Sequence, residues 1–333
     1  MTSESLSVAP MLVAGQQKYG DADFPLVLGC DGPKPDLPGA IEWAKSQRAD
    51  LMQQLQRHGA ILFRGFPLSV PEDVDAFVAA FDLENFPYEQ SLSNAVRINY
   101  TPRIFSANEA PSDVTIFLHH EMAQTPVFPA QLFFFCQQPA EAGGATPLCR
   151  SDVLFEQIAE RFPTFAADCE AKGLQYSTVM PSESDPTSGM GRNWQSTFRA
   201  NDRDEAEQRM RELGYTWVWQ ADGCLRATSR TLPAVYEIEP GRKSFFNQLI
   251  AAFQGWKDDR NDPSKAITFG DGTPLPRDTV IEVAQMAEAL TFDVPWQAGD
   301  LAFVDNRIVM HGRRSFTGKR RVLASLATPQ KQA

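Results

Sequence analysis

Residues 114–121 read Val-Thr-Ile-Phe-Leu-His-His-Glu, and residues 131–136 read Gln-Leu-Phe-Phe-Phe-Cys. Both runs are rich in β-branched and aromatic residues, and a proline-containing turn separates them, as expected of two consecutive strands. Side chains alternate along a strand. His119 and Glu121 should therefore share one face, while His120 joins Val114, Ile116 and Leu118 on the other. Imidazole and carboxylate are common ligands of a first-row metal that must keep open positions. Two of them on one strand face can take two neighbouring positions, and a third ligand must come from elsewhere. The chain has four histidines. His58 lies at the end of a predicted helix, where a capping or surface role accounts for it. That leaves His311, which follows the strand-like run 301–310 (LAFVDNRIVM) and precedes the turn signal Gly312. With 42 acidic residues in 333, about half a His-x-acid pair is expected by chance, so this pair alone does not define a metal site.

Outward from that stretch, short strands alternate with helices. Residues 40–58 carry Ile41, Ala44, Leu51 and Leu55 at helical spacing, and Gly59 follows as a stop. The apolar run AILFRGF (60–66) reads as a buried strand. Residues 71–82 begin with proline and acids and read as a helix. Residues 151–162 and 278–290 read as further helices, and 201–213 as an exposed charged helix capped by Asn201 or Asp202. The Pro, Gly and Asp clusters of 256–277 read as a loop. LAFVDN (301–306) and RVLASLA (321–327) read as strands. The expected fold class is α+β, mainly β with inserted helices, built on an antiparallel sandwich. Residues 1–24 are expected to form a loose or docking arm, and 25–333 one domain. Residues 150–290, between the two halves of the metal motif, are expected to supply a helical lid and much of the substrate pocket.

Composition excludes several functions. The formal charge is −11, from 31 basic and 42 acidic residues. Nucleic acids and anionic membranes call for a basic surface, so neither is an expected partner. No apolar run is long enough to span a bilayer, and the first residues lack the basic-then-apolar pattern of a signal peptide. Five scattered cysteines with no CxxC spacing argue against a disulfide framework and a cysteine zinc site, and the cytoplasm is the expected compartment. Neither GxGxxG nor GxxxxGK[ST] occurs. The composition leaves oligomeric state open.

Further motifs add to the His-x-Glu pair. Gly-Gly-Ala-Thr-Pro-Leu (143–148) comes just after the second strand, and His-Gly-Arg-Arg-Ser-Phe-Thr-Gly-Lys-Arg-Arg-Val (311–322) follows the distal histidine. A metal site with an arginine on the next strand suits a cosubstrate that chelates the metal at one end. A guanidinium fork can grip the carboxylate at its other end.

These blocks resemble, in order, those of the TauD/TfdA iron(II)/2-oxoglutarate dioxygenases. More narrowly, they resemble the SyrP-like and clavaminate-synthase-like branch, which uses His-x-Glu. The likeness runs from about Ala60 to Leu326 through AILFRGF, Ala107–Pro111, His119–Met122, GGATPL and Gly191–Gln195, then Phe246–Gln248, Ala298–Asp300, Asp305-Asn306 and His311–Arg313. It implies a double-stranded β-helix, or jelly-roll. It also implies iron(II) ligands His119, Glu121 and His311, with 2-oxoglutarate and O₂ as cosubstrates. Thr146 would hydrogen-bond 2-oxoglutarate. Arg320, in Gly318-Lys319-Arg320, would bind its distal carboxylate, with Arg321 as the alternative because strand register decides which faces inward.

The implied reaction hydroxylates an unactivated C–H bond of an amino-acid-like or carboxylate small molecule, free or tethered to a carrier protein. Succinate and CO₂ are released, and secondary-metabolite biosynthesis is the expected setting. Desaturation, epoxidation and cyclisation would use the same residues. A zinc hydrolase would leave the Gly-Gly-Ala-Thr block and Arg320 without a purpose, and the intact triad argues against a non-catalytic cupin-like binding protein. Asn108, Arg103, Arg192, Trp194 and Asn247 are candidate substrate contacts, with core packing the competing role for Trp194. Asp305 and Asn306 could orient a ligand or simply form a turn. Arg313 and Arg314 read as a solvated turn.

Departures from the family narrow the substrate. Taurine dioxygenase carries aspartate where Glu121 stands, and its sulfonate-binding arginine falls four residues beyond the cosubstrate arginine. Ala324 occupies that position here, which argues against a sulfonate. Clavaminate synthase has a longer gap between histidine and arginine. Halogenating relatives replace the carboxylate, so Glu121 favours oxygenation.

Overall fold

Along the strand Val127–Gln138, Phe133 and Phe135 pack to one side, Leu132, Phe134 and Cys136 pack to the other, and all five are buried. A strand covered on both faces reads as a continuous apolar run, which explains Leu-Phe-Phe-Phe-Cys. The computed structural model describes residues 6–30, 36–93, 95–107, 109–185, 187–188, 190–255 and 266–332. In it, this strand lies within a seven-stranded sheet. The order is Val8–Pro10, Leu26–Cys30, Ala60–Arg64, Leu301–Asp305, Val127–Gln138, Arg321–Lys331, Phe105–Ser106. Every pairing is antiparallel except that of 26–30 with 60–64. The same alternation runs through its neighbours. Ala302 and Val304, with Val322, Ala324 and Leu326, face inward, and Leu301, Phe303 and Leu323 face outward.

A second, four-stranded antiparallel sheet orders Thr291–Asp293, Pro147–Arg150, Val309–Arg313 and Ile116–His119. Its Leu148, Val309 and Phe292 pack against the inward residues of the larger sheet. The two sheets face each other as the expected jelly-roll core, and helices cover both outer faces.

On the larger sheet lie helices Leu37–His58 and Pro71–Ala79. The first starts on Asp36, whose side chain accepts from Gly39 N at 2.8 Å, and ends at Gly59, whose φ of 79° favours glycine. Its Leu51 and Leu55 join Phe77, Phe63 and Phe303 in one cluster, where Phe133 and Phe303 stack at 4.3 Å. On the smaller sheet, Leu118, Cys149 and Met310 meet Leu154, Ile158, Leu249, Val280 and Val283. Those five residues come from helices Ser151–Arg161, Leu249–Gly255 and Arg277–Ala289. No helix among the described residues is long and apolar enough to cross a membrane.

The structure narrows two local expectations and changes a third. The described part of the predicted arm is tied in: Val8–Pro10 pairs with Leu28–Cys30, and Gln17–Tyr19 pairs with Ala22–Phe24, placing Phe24 in the core. The region expected as a loop at 256–277 contains a strand, Ile267–Phe269, paired with Leu174–Tyr176, while 256–265 lie outside the described residues. That strand belongs to a separate sheet with 174–180, 216–219 and 225–228. Ile267–Phe269, at three residues, is too short for alternation alone to reveal. Of the two candidate caps of the charged helix Arg203–Leu213, Asp202 is the one used.

Candidate functional site

His311 lies inside the strand Val309–Arg313 and pairs directly with His119, the last residue of Ile116–His119. The rings lie 4.4 Å apart between centroids. The strand expected to reach residue 121 stops at His119. Glu121 sits in the following turn, where Met122 takes a φ of 60°. The turn still brings the carboxylate to the histidines: Glu121 Oε2 is 3.5 Å from His311 Nε2 and 3.9 Å from His119 Nε2. One ligand atom from each residue falls within 4.8 Å of the others.

These separations are long for hydrogen bonds. Two imidazoles and a carboxylate converging at such spacing suit a divalent first-row cation with open positions. His119 Nδ1 donates to Phe117 O at 2.8 Å, which leaves Nε2 bare on the Glu121 side. Burial, then the neighbouring His311, lowers the His119 pKa to about 4. Burial opposes the charged Glu121 carboxylate, but His311, His119 and Arg97 outweigh it and hold its pKa well below the ordinary range. A neutral imidazole and an ionised carboxylate are the forms that bind metal.

The turn is pinned from behind. Asn306 Oδ1 accepts from Glu121 N at 2.8 Å, and its Nδ2 donates to Glu121 O at 3.0 Å and Pro129 O at 2.7 Å. His120 faces away from the pair, as the alternation predicted. Its ring bonds the Asn306 carbonyl and contacts Ser151 Oγ at 2.8 Å. Its backbone is held by Asn247 O at 3.2 Å and by Gln248 Nε2 at 3.0 Å.

Across the cavity, Thr146 Oγ1 accepts from Trp296 Nε1 at 3.0 Å and from Arg320 Nη2 at 3.3 Å. Arg320 Nε donates to Gly144 O at 2.7 Å. Gly144 has a φ of 70°, and a Cβ there would stand 2.9 Å from Arg320 Cδ, so the second glycine of the Gly-Gly-Ala-Thr block makes room for this arginine. Burial, then Arg313, lowers the Arg320 pKa to about 10. Arg321 is exposed and lies over the Tyr100 ring at 4.7 Å, outside the cavity. The walls are Tyr88, Phe105, Ala107, Phe134, Val322 and Ala324, with Arg97 and Arg313 among the polar lining.

The remaining sequence candidates lie elsewhere. Trp194 packs edge-on against Trp219 at 5.0 Å in a separate apolar cluster. Arg192 binds the carbonyls of Ser91, Ser93 and Ser196. Arg103 pairs with Asp75 at 3.1 Å, tying its turn to helix Pro71–Ala79. The Asn247 side chain donates to Ala234 O and accepts from Leu249 N. Asp305 is buried and binds Arg307 through both oxygens. Asn108 lies outside the described residues.

The insertion 150–290 backs the smaller sheet, and none of its described residues lines this cavity, in contrast to the expected lid. Arg313 is not in a solvated turn: it is buried and donates to the carbonyls of Ala110, Pro111 and Val114. Arg314 pairs with Glu288 and Asp293. Sequence reasoning missed Arg97, Tyr88 and Trp296, whose neighbourhoods carry no local pattern. They reach the site only through the packing of the loops.

Comparison with known proteins agrees with this geometry. A family model described as taurine catabolism dioxygenase TauD, TfdA family matches residues 24–326. A clavaminate synthase-like protein of Arabidopsis thaliana is 41% identical over 317 residues, covering 93% of this chain and 96% of the relative. The dapdiamide synthesis protein DdaC of Enterobacter agglomerans is 28% identical over 295 residues, covering 83% and 84%. Among solved structures, a taurine dioxygenase from Burkholderia xenovorans superposes with a TM-score of 0.54 at 14% identity, covering 99% of this chain and 93% of that one. PvcB from Pseudomonas aeruginosa superposes with a TM-score of 0.53 at 13% identity, covering 98% and 92%. At such identities the structural likeness speaks for the fold alone.

Proposed function

This chain belongs to the TauD, TfdA family of dioxygenases, and from that premise we propose that it hydroxylates an unactivated C–H bond of a small amino-acid-like or carboxylate molecule. Its cofactors are iron(II) and 2-oxoglutarate, with O₂ as oxidant. Bound there, they supply the oxidising power by decarboxylating 2-oxoglutarate, so that R–H, 2-oxoglutarate and O₂ give R–OH, succinate and CO₂.

The observation that carries the reading is the convergence of His119, Glu121 and His311 within 4.8 Å, facing a cavity whose other side carries Thr146 and Arg320. His119, Glu121 and His311 hold the metal. Arg320 binds the far carboxylate of 2-oxoglutarate. Its Nε is occupied by Gly144 O, so the outer edge of the fork is the part that meets the ligand. The Thr146 hydroxyl already accepts from Trp296 and Arg320, so its own proton is free to be donated to the same carboxylate. Phe134, Val322 and Leu326 keep water from the reacting carbon. Asn306 positions Glu121 through its peptide groups.

The relation to a dapdiamide synthesis protein supports an amino-acid-like substrate and a setting in secondary metabolism. A zinc hydrolase would have no use for the paired Thr146 and Arg320. The test is anaerobic addition of Fe(II) and then 2-oxoglutarate to metal-free protein, watching for the visible iron-to-ketoacid band. The band should form, vanish in His119→Ala and weaken in Arg320→Ala. Tight Zn(II) binding without any such band would overturn the reading.

A further inference from the structure

Among the described residues, the cavity is lined by three guanidinium groups, Arg97, Arg313 and Arg320, and by a single carboxylate, Glu121. Glu121 is engaged by the two histidines. Arg320 is directed at Thr146 and Gly144, and Arg313 gives its fork to three carbonyls of the 110–114 loop. Arg97 differs. Its Nε and Nη1 are buried and have no hydrogen-bond partner among the described residues.

The position of Arg97 is nevertheless fixed. Its guanidinium lies 5.4 Å from the Tyr88 ring centroid, and so does that of Arg192. Tyr88 donates to Ala95 O at 2.6 Å, and Arg192 holds the Ser91 and Ser93 carbonyls. The loop before Arg97 is thus braced at three points. Arg192, expected from sequence to touch substrate, acts on this loop instead. Burial, then the neighbouring Arg97, lowers the Arg313 pKa to about 10, so the charge of Arg97 is felt inside the cavity. The other acids that act on Arg313, Glu109 and Asp113, are exposed. Two buried donor nitrogens of a cation left without an acceptor are costly, so the site is built to receive an anion there.

We propose that Arg97 is the specificity-determining residue that binds a free carboxylate on the substrate, beside the cosubstrate held by Arg320. This rests on the dioxygenase reading above. Ala324, the position four residues after Arg320, faces the cavity and carries no charge. Of the other cations in the lining, Arg320 is engaged with Gly144 and Thr146, and Arg313 keeps only its Nε without a partner among the described residues, whereas Arg97 keeps both Nε and Nη1. The apolar walls of the same cavity include Phe105, Ala107, Val322 and Leu326, which fit a short aliphatic body. A molecule joined to a carrier through its carboxyl group is a thioester and offers no such anion. The proposal therefore selects the free small molecule over the carrier-tethered one.

The test titrates the full chain, loaded anaerobically with Fe(II) and 2-oxoglutarate, with straight-chain acids from propanoate to octanoate and with their amides. Metal-free chain is followed in parallel by thermal shift. At least one acid should bind about ten-fold or more tightly than its amide, as expected for a charge-assisted bond. Arg97→Gln should abolish that preference, Arg97→Lys should restore part of it, and both should leave the 2-oxoglutarate band titration unchanged. The proposal is overturned if no acid is preferred, if Arg97→Gln keeps the preference, or if it weakens 2-oxoglutarate as Arg320→Gln does. Should Arg97→Gln fail to fold, Arg97→Lys still decides, since an intact acid preference with wild-type strength would overturn a geometry-dependent fork. Absence of the band in wild type would instead sink the dioxygenase reading, while the thermal-shift comparison would still judge Arg97.

Discussion

Asn306 brackets Glu121, accepting from its N–H at 2.8 Å and donating to its carbonyl at 3.0 Å. The two residues are 185 positions apart, and the bracket takes the place of the strand pairing that ends at His119. It fixes the peptide groups on both sides of the Glu121 side chain without touching the carboxylate. Asn306→Ala should therefore lower iron(II) affinity by about 10–100-fold, the usual effect of losing a group that orients a ligand. Competition against a chelator measures this. Unchanged affinity would mean that the turn holds itself.

His120 neighbours two proposed ligands but faces away, toward Asn306 O and Ser151 Oγ, and is fully buried. His120→Ala should lose about 2–4 kcal/mol of stability, from the buried cavity and the unpaired partners. It should still form the iron-to-ketoacid band, whereas His119→Ala should not. Chemical unfolding and the anaerobic spectrum together separate the two roles. Loss of the band in a folded His120→Ala protein would contradict the geometry.

Arg320 and Arg321 are adjacent in sequence, yet one lines the cavity and the other is exposed over Tyr100. Arg320→Ala should weaken 2-oxoglutarate by about ten-fold or more, while Arg321→Ala should change it by less than about two-fold. Gly144→Ala should resemble a mild Arg320 variant, because the new Cβ would press on Arg320 Cδ. Band titrations compare all three.

Asp152 is buried between Arg150 and Arg242. Burial disfavours its charged form, but the two guanidiniums outweigh that and hold its pKa below the ordinary carboxylate value. A depressed folded-state pKa means that the stabilisation is present above the unfolded Asp pKa, near 4, and is lost as the pH falls through the lower folded value. Asp152→Asn should cost about 3–5 kcal/mol at neutral pH, by leaving Arg150 buried without its partner. It should also flatten the acid limb of stability against pH. Denaturant melts from pH 7 down to pH 3 would show both effects.

The sequence by itself carried the parts whose physics is local. The double-sided burial of Leu132–Cys136 is written as an unbroken apolar run, and the helix from Leu37 to His58 as a periodic face closed by Gly59. The ordered motifs, through their resemblance to a known family, offered His119, Glu121, His311, Thr146 and Arg320 as candidates, and these five residues line one cavity. Tertiary structure decided what depends on distant segments meeting. It ended the strand at His119 and used Asn306 to aim Glu121. It turned Arg320 inward and Arg321 outward, and it withdrew Trp194, Arg192 and Asn247 into packing and bracing roles. It also brought Arg97 to the cavity from a loop with no motif of its own. A guanidinium's role is set by the acceptors around it, and those acceptors belong to segments that sequence spacing does not connect.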